Sequence, residues 1–466
     1  MSIDLTEIPA VAGPGGGGRS DVRVVLPSGD FAAQLKAAIE DAHAEGGYVE
    51  LIGGADYVLT GPVEVTDVSV DLRCNGAKIV RGLGMESSKS AIKVSHTISA
   101  QTACTLTPSS YEYSQEGNLS ETVLVTTTLD VVRGDYVKII SDDFIPTSPA
   151  ADMERQGEII QVGAVVTEGF HGYGPLRRSF ATNIRCAKLT DLPVSITGLD
   201  LRDAEGAPVG RNAPLIELIG AVAPYVTGYL HDAQSVALRL VSCVRARTEV
   251  RCERIRTSSA NFAYGYGVYE VACADGLHDI RASELRHAYT TGSFSLASPN
   301  DARTERYGGC TGSVVTVDAI NCDAAAADTH SDAMGIHFPR VRVHGQYRGA
   351  QGYYGGLQFR GYGNSAGEVD VTGPVGFLAT LVSDYCGGHS IERLRIYVPP
   401  SYLTTTPMID IDGTAVVSTD QDIRHPIRIG TLELDSQSGK QTTGIFVRKA
   451  NLVIDRLRGE CKHAGA

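Results

Sequence analysis

From Ile255 onward, short runs of aliphatic residues return at a near-constant interval. Their leading members, Ile255, Ile280, Val317, Val343, Val369 and Leu394, are separated by 25, 37, 26, 26 and 25 residues. The segments between them are rich in Gly, Asn and Asp and carry almost no helical pattern. Runs this short cannot build a core alone, so each must stack on its neighbours. A period near 25 is what one coil of a parallel β-helix requires. The single 37-residue step contains "SPNDARTERYGG", a polar stretch that reads as a loop thrown out of one coil. Leu432 and Leu457 repeat the 25-residue step after a Pro- and Thr-rich excursion over 399–426, so the rhythm continues to the last residues.

Upstream, the pattern changes twice. "VAGPGGGGRSD" is a flexible tether, because consecutive glycines lose much entropy on ordering, and residues 1–20 read as an arm. Phe31, Leu35, Ala38, Ile39 and Ala42 then fall at helical spacing, with Ser28 or Asp30 as cap and Gly46 and Gly47 as terminators. Short β runs follow at once. Over residues 100–205, "GDYVKIISDD", "GEIIQVGAVV" and "CAKLTDLPVSITGLDL" are longer alternating strands without the 25-residue rhythm. The expected division is an arm (1–20), a cap helix with the first coils (21–99), an inserted antiparallel β module (100–205) and the main solenoid (206–466).

Composition removes several functions. A formal charge of −13 repels a phosphate backbone, so no nucleic-acid partner is expected. The N-terminus lacks a basic region followed by an apolar stretch, and no run of about 18 apolar residues occurs. Neither a signal peptide nor a membrane span is expected. None of the ten cysteines forms a C-x-x-C pair, which argues for reduced, mostly buried thiols and against zinc. No cofactor is implied.

"FAAQLKAAIEDAHAEGGYVELIGGADYVLTGPVEV" resembles the opening of the pectate-lyase-like right-handed β-helix proteins of phage tailspikes, where a helix covers the open end of the solenoid. "YGYGVYEV" and "SELRHAYTTG" are similar to coils of that group. The cap has a physical reason: a bare solenoid end exposes strand edges and an apolar core. The resemblance covers about three quarters of the chain. It implies an all-β right-handed parallel β-helix that acts on or binds a bacterial surface polysaccharide. It also implies a homotrimer located on a virion tail, attached through residues 1–20 directly or through an adaptor.

Stacking the expected coils places "GVYEV" (267–271), "SFSL" (293–296), "GIHF" (335–338) and "GLQF" (356–359) in one ladder. Val268, Phe294, Ile336 and Leu357 then point inward, and Tyr269, Ser295, His337 and Gln358 outward. The turns before these strands contribute Tyr264 and Tyr266, then Arg286, His287 and Tyr289, then Asp328, His330 and Asp332, then Tyr353 and Tyr354. Tyrosine faces suit the C–H side of a sugar ring, and the polar groups suit its hydroxyls. Tyr264, Tyr266, Tyr269, Tyr289, His337, Tyr353, Tyr354 and Gln358 are therefore the expected substrate-binding residues. Asp328, His330 and Asp332 alternate as metal ligands could, but no second cluster completes a coordination sphere.

Two chemistries fit this list. Glycoside hydrolysis, the leading expectation, needs two carboxylates flanking the bond: Asp332 first as acid or base with Asp328 as its partner, Glu270 as a further candidate, Asp384 further along, and His330 and His287 modulating protonation. Elimination from a uronate needs a cation on the sugar carboxylate and a base for the adjacent proton. Arg286 with His287, Tyr289 or His330 supplies these. The alternatives outside catalysis are a fibre that only binds a glycan, or a structural tail component.

Overall fold

The computed structural model describes residues 22–25, 27, 29–107, 122–147, 153–173, 176–208, 210–257, 264–346, 355–381, 385–402, 407–413, 425–437 and 444–461. The Gly-rich arm lies outside them, as do Tyr353, Tyr354 and Asp384.

The cap forms where the apolar spacing places it. The helix runs over Phe31–Glu45, Asp30 accepts from the Ala33 amide at 3.3 Å, and Gly46 ends it at φ 77°. Phe31, Leu35, Ile39 and Ala42 are buried at the mouth of the solenoid, and the Phe31 ring meets Tyr57 at 4.6 Å. The apolar end that a bare coil would expose is thereby covered.

Behind the cap the chain winds into a parallel β-helix with two long sheets and a thin third ladder. The first sheet runs from Val22–Val25 to Leu452–Cys461, and the second from Val63–Thr66 to Ile445–Arg448. The third is a chain of single parallel bridges, Val222–Val244–Ala274–Thr311–Met334–Tyr362–Gly387. Inward side chains from every coil form one continuous core. The repeat is correct in kind and partly shifted in register. In-register partners are Val250, Ile280, Val317, Val341, Val369, Leu394, Leu432 and Leu457. Ile255 and Val343 lie further along the same strands. Both still face inward, because a shift by two residues preserves the face, and Ile255 follows the left-handed Arg254, whose φ is 52°.

The insertion is a closed six-stranded antiparallel barrel, from Thr102–Thr107 to Arg185–Lys188, with its own apolar core. It closes earlier than the sequence suggested. Val194–Asp203, read there as part of the insertion, pairs with Val70–Arg73 and Tyr225–Gln234 in the first sheet and belongs to the solenoid. The Ile98–Leu189 bridge and the bond from the Ser99 amide to the Lys188 carbonyl (2.8 Å) tie the barrel's two ends together. Among the described residues no helix is long and apolar enough to cross a membrane.

Candidate active site

The outward row of the second sheet carries the site. Tyr269, Thr290, Asp328 and Gln358 occupy successive rungs, which stand about 4.8 Å apart. Tyr266 and His287 pair three residues earlier along the same strands. Tyr264 and Tyr269 flank Tyr266, with centroids at 5.9 and 5.4 Å; His287 packs on it at 5.1 Å, and the Arg286 guanidinium lies over its ring at 5.8 Å.

Asp328 is the anchor. Its carboxylate is fully buried, accepts from Thr290 Oγ1 at 2.8 Å, and receives Arg360 Nη2 at 2.8 and 2.7 Å on its two oxygens. His330 Nε2 lies 3.6 Å from it and His287 Nε2 4.0 Å. Burial alone would raise this carboxyl, but the Arg360 charge and then the two imidazoles hold it well below the usual carboxylate range. The imidazoles move in the opposite sense to a simple Asp–His pair. Burial, followed by the Arg360 charge, pushes His330 down to about 3, and burial pushes His287 down to about 4. Both are uncharged at neutral pH. The His330 side chain remains 36% exposed while Asp328 beneath it is closed off, so the imidazole is what a ligand meets.

Asp332 sits deeper, under the barrel. The Cys310 amide donates to its Oδ2 at 3.2 Å, Oδ1 has no hydrogen-bond partner among the described residues, and Arg178 of the barrel donates to its main-chain carbonyl. Burial and the charge of Glu154, also from the barrel, push its carboxyl up to about 7. The barrel and the loop over 293–309 act together as one wall. Glu154 bridges Ser295, the Leu296 amide donates to the Met153 carbonyl at 3.0 Å, and Arg155 Nε donates to the Leu296 carbonyl at 3.0 Å.

Several expected residues stand elsewhere. Glu270 and Tyr289 are not in the outward row: both face inward with no exposed surface. Tyr289 donates to Glu270 Oε2 at 2.6 Å, His278 Nε2 lies 3.0 Å from Oε1, and Thr248 Oγ1 is 2.9 Å from His278 Nδ1. The alternation that turns Tyr269 outward must turn Glu270 inward. His337 is also displaced. It begins a strand of the first sheet, pairs with Val314 and Ser365, and contacts Ser365 Oγ at 2.9 Å. "SFSL" leaves the ladder as well, because "HAYTTG" (287–292) takes that rung before the chain departs into the loop. Phe294 packs under Arg306 at 5.0 Å instead of entering the core. Tyr264, Tyr266, Tyr269, Arg286, His287, Asp328, His330 and Gln358 do converge, while Asp332 lies beneath them.

Sequence reading missed Arg360, Thr290, Glu154 and Arg178. Arg360 lies two residues beyond Gln358, on the same face, so alternation pointed to it. Glu154 and Arg178 reach the site only because the barrel folds back over the coil, and no local pattern records that. Among the described residues no group of three or more His, Cys, Asp or Glu side chains is arranged to hold a metal ion.

This arrangement has known counterparts at the level of fold. No family model matches the chain. The crystal structure of the tailspike gp49 from Pseudomonas phage LKA1 superposes with a TM-score of 0.67 at 15% identity, covering 92% of this chain and 70% of that one. The Gp54 tailspike of Acinetobacter baumannii bacteriophage AP22, solved in complex with A. baumannii capsular saccharide, gives 0.52 at 14% over 93% and 74%. The Pseudomonas phage phi297 tailspike gp61 gives 0.57 at 13% over 92% and 68%. The solenoid, cap helix and long parallel sheets are those of a tailspike-type parallel β-helix. The protein is tailspike-like in architecture across nearly its whole length.

Proposed function

We propose that the protein recognises a bacterial surface polysaccharide, whether capsule, exopolysaccharide or O-antigen, and cleaves it in the groove along the second sheet. The AP22 spike that shares its fold was solved with a capsular saccharide, and the groove combines tyrosine faces with imidazole and guanidinium groups as a sugar polymer requires. On this reading the working form is a homotrimer on a virion tail, with residues 1–20 facing the particle.

The observation that carries the chemistry is the place of His330, 36% exposed and 3.6 Å from an Asp328 that Arg360 holds; burial and then the Arg360 charge lower its pKa, which keeps the imidazole uncharged. It supports β-elimination from a uronate. Arg286, with Arg360 behind it, offsets the sugar carboxylate and stabilises the charge that spreads onto it. His330 removes the adjacent ring proton. The electron pair forms the C=C bond, the C–O bond to the leaving sugar breaks, and that oxygen takes a proton. Burial raises the Tyr266 and Tyr269 hydroxyls, so both keep their protons and can supply it. The bound carboxylate also counters the Arg360 charge, which brings the His330 basicity back toward the working pH.

Hydrolysis is the second reading, favoured by one feature. Asp332, raised to about 7 beside Glu154, is the kind of protonated acid next to a charged carboxylate that glycosidases use. It requires the barrel wall to lift, because Asp332 is closed off from solvent.

Digestion of a panel of capsular and O-antigen polysaccharides separates these readings. New reducing ends with the ultraviolet absorbance of unsaturated uronides mean elimination, and reducing ends without it mean hydrolysis. Binding without either product would reduce the protein to a glycan-binding fibre.

A further inference from the structure

The outer face of the first sheet, near its C-terminal end, carries a groove that the function above does not use. It has a volume of about 680 Å³ and is lined by Arg395, Tyr397, Glu433, Asp435 and Arg458, with the main chain between them as floor. Three consecutive strands build it, Ser390–Val398, Ile427–Ser436 and Leu452–Cys461, paired in parallel. Alternation fixes which side chains stand up. Ile396 and Leu434 are buried beneath the sheet, so Arg395, Tyr397, Glu433 and Asp435 face out.

The charges are not equally matched. Asp370, Arg395 and Glu433 form a chain of ion pairs at 3.3 and 3.0 Å, and Arg393 adds a contact to Glu433 at 3.3 Å. Gln437 donates to Asp435 at 2.7 Å. Both acids of the groove are thus engaged by neighbours. Arg458 faces Glu433 across one rung, yet it has no ion pair among the described residues. At the opposite lip Tyr397 is 37% exposed. The two lips are two rungs apart, roughly 9 to 10 Å along the axis, a span that a short oligosaccharide can bridge.

We infer that this groove is a second, non-catalytic carbohydrate site that takes an acidic oligosaccharide. The Tyr397 ring supports the C–H face of one sugar, the fixed carboxylates of Glu433 and Asp435 accept from its hydroxyls, and Arg458 holds the carboxylate of a neighbouring unit. The inference does not depend on the reading at His330: the two sites lie on different sheets, and either can fail alone.

Titration of the full chain, with isotope-labelled Ile and Leu methyl groups, tests it. Ile396 and Leu434 lie directly under the groove and report occupancy, while Ile216 and Leu238 in distant coils report the fold. The probes are an oligogalacturonate and, for comparison, a neutral maltooligosaccharide. Saturable shifts of Ile396 and Leu434 with the acidic probe are expected. They should disappear in Tyr397→Ala, weaken about tenfold or more in Arg458→Ala, and persist in His330→Ala. Both groove substitutions are at partly exposed positions, so the distant methyls should stay in place. No shift at Ile396 or Leu434 would overturn the inference, as would shifts that survive Tyr397→Ala or that the neutral probe reproduces at equal strength.

Discussion

Arg360 donates from a single nitrogen, Nη2, to both carboxylate oxygens of Asp328, at 2.8 and 2.7 Å, and its Nε donates to the Thr329 carbonyl at 2.9 Å. The guanidinium therefore fixes the acid and the turn that carries His330 together. Removing the acid leaves the Arg360 guanidinium without its counter-charge. Asp328→Ala should cost about 3–5 kcal/mol, the usual loss when one partner of a buried pair is removed, and should abolish cleavage. Denaturant unfolding and product assays together test this; a variant of wild-type stability would mean that Asp328 anchors nothing.

His330 should separate chemistry from folding. With its side chain 36% exposed, His330→Ala is expected to leave the melting temperature within a degree or two and to reduce kcat by at least about a hundredfold, the range of a lost general base. Full activity in this variant would remove His330 from the mechanism.

The pH dependence has a definite sign. A base must be unprotonated, and burial with the Arg360 charge lowers the His330 pKa. The acid limb of kcat/KM for the free enzyme should therefore lie below the ordinary histidine value of about 6.5. Arg360→Gln removes one lowering cause and should move that limb upward. An unmoved limb would show that another group sets it.

Asp332 titrates in the opposite direction from a paired carboxylate. Its folded value, raised to about 7, lies above the unfolded value of about 3.9. The folded state holds the extra proton, so this contribution is full below the unfolded value and is lost as pH rises toward 7. Asp332→Asn keeps the acceptor for the Cys310 amide and removes the buried charge, so it should raise the melting temperature at pH 7 to 8 and flatten the decline that the wild type shows between about pH 4 and 7. Thermal scans from pH 4 to 8 would show it; a lower melting temperature at pH 8 would contradict it.

Inside the solenoid, Tyr289→Phe should cost about 1–3 kcal/mol, because it removes the hydroxyl that donates to buried Glu270. Burial alone would raise Glu270, but the nearby His278 and its hydrogen bonds hold it low. Its contribution is therefore present above the unfolded value of about 4.3 and is lost on acidification. Glu270→Gln should flatten the acid side of the stability curve.

The repeat was legible because inward aliphatic residues recur coil after coil, and a register error of two residues preserves the face. Val268, Ile336 and Leu357 were read as inward for that reason, and all are buried. What the period does not encode is which sheet a strand joins. "GIHF" and "GLQF" look alike, yet Phe338 continues into the first sheet and Leu357 into the second. This placed His337 wrongly and hid the rung formed by His287–Gly292. Glu270 was misread for a different reason: a carboxylate in a solenoid core is tolerable only with partners, and those partners, His278 and Tyr289, come from separate strands. The pairing of Asp332 with barrel residues was illegible altogether, since Glu154 and Arg178 are distant in sequence and near only after the insertion folds.

The barrel's two ends leave the solenoid side by side, joined at Ile98 and Leu189. The coils on either side are already neighbours without it: Ile92–Ser95 pairs directly with Ile216–Ile219, and Val70–Arg73 with Val194–Asp203. A different module could therefore be grafted at this junction while the helical winding stays intact. Under the proposed polysaccharide reading, the choice of sugar could then change by exchanging the barrel wall, with the ladder of Tyr269, Thr290, Asp328 and Gln358 left unchanged.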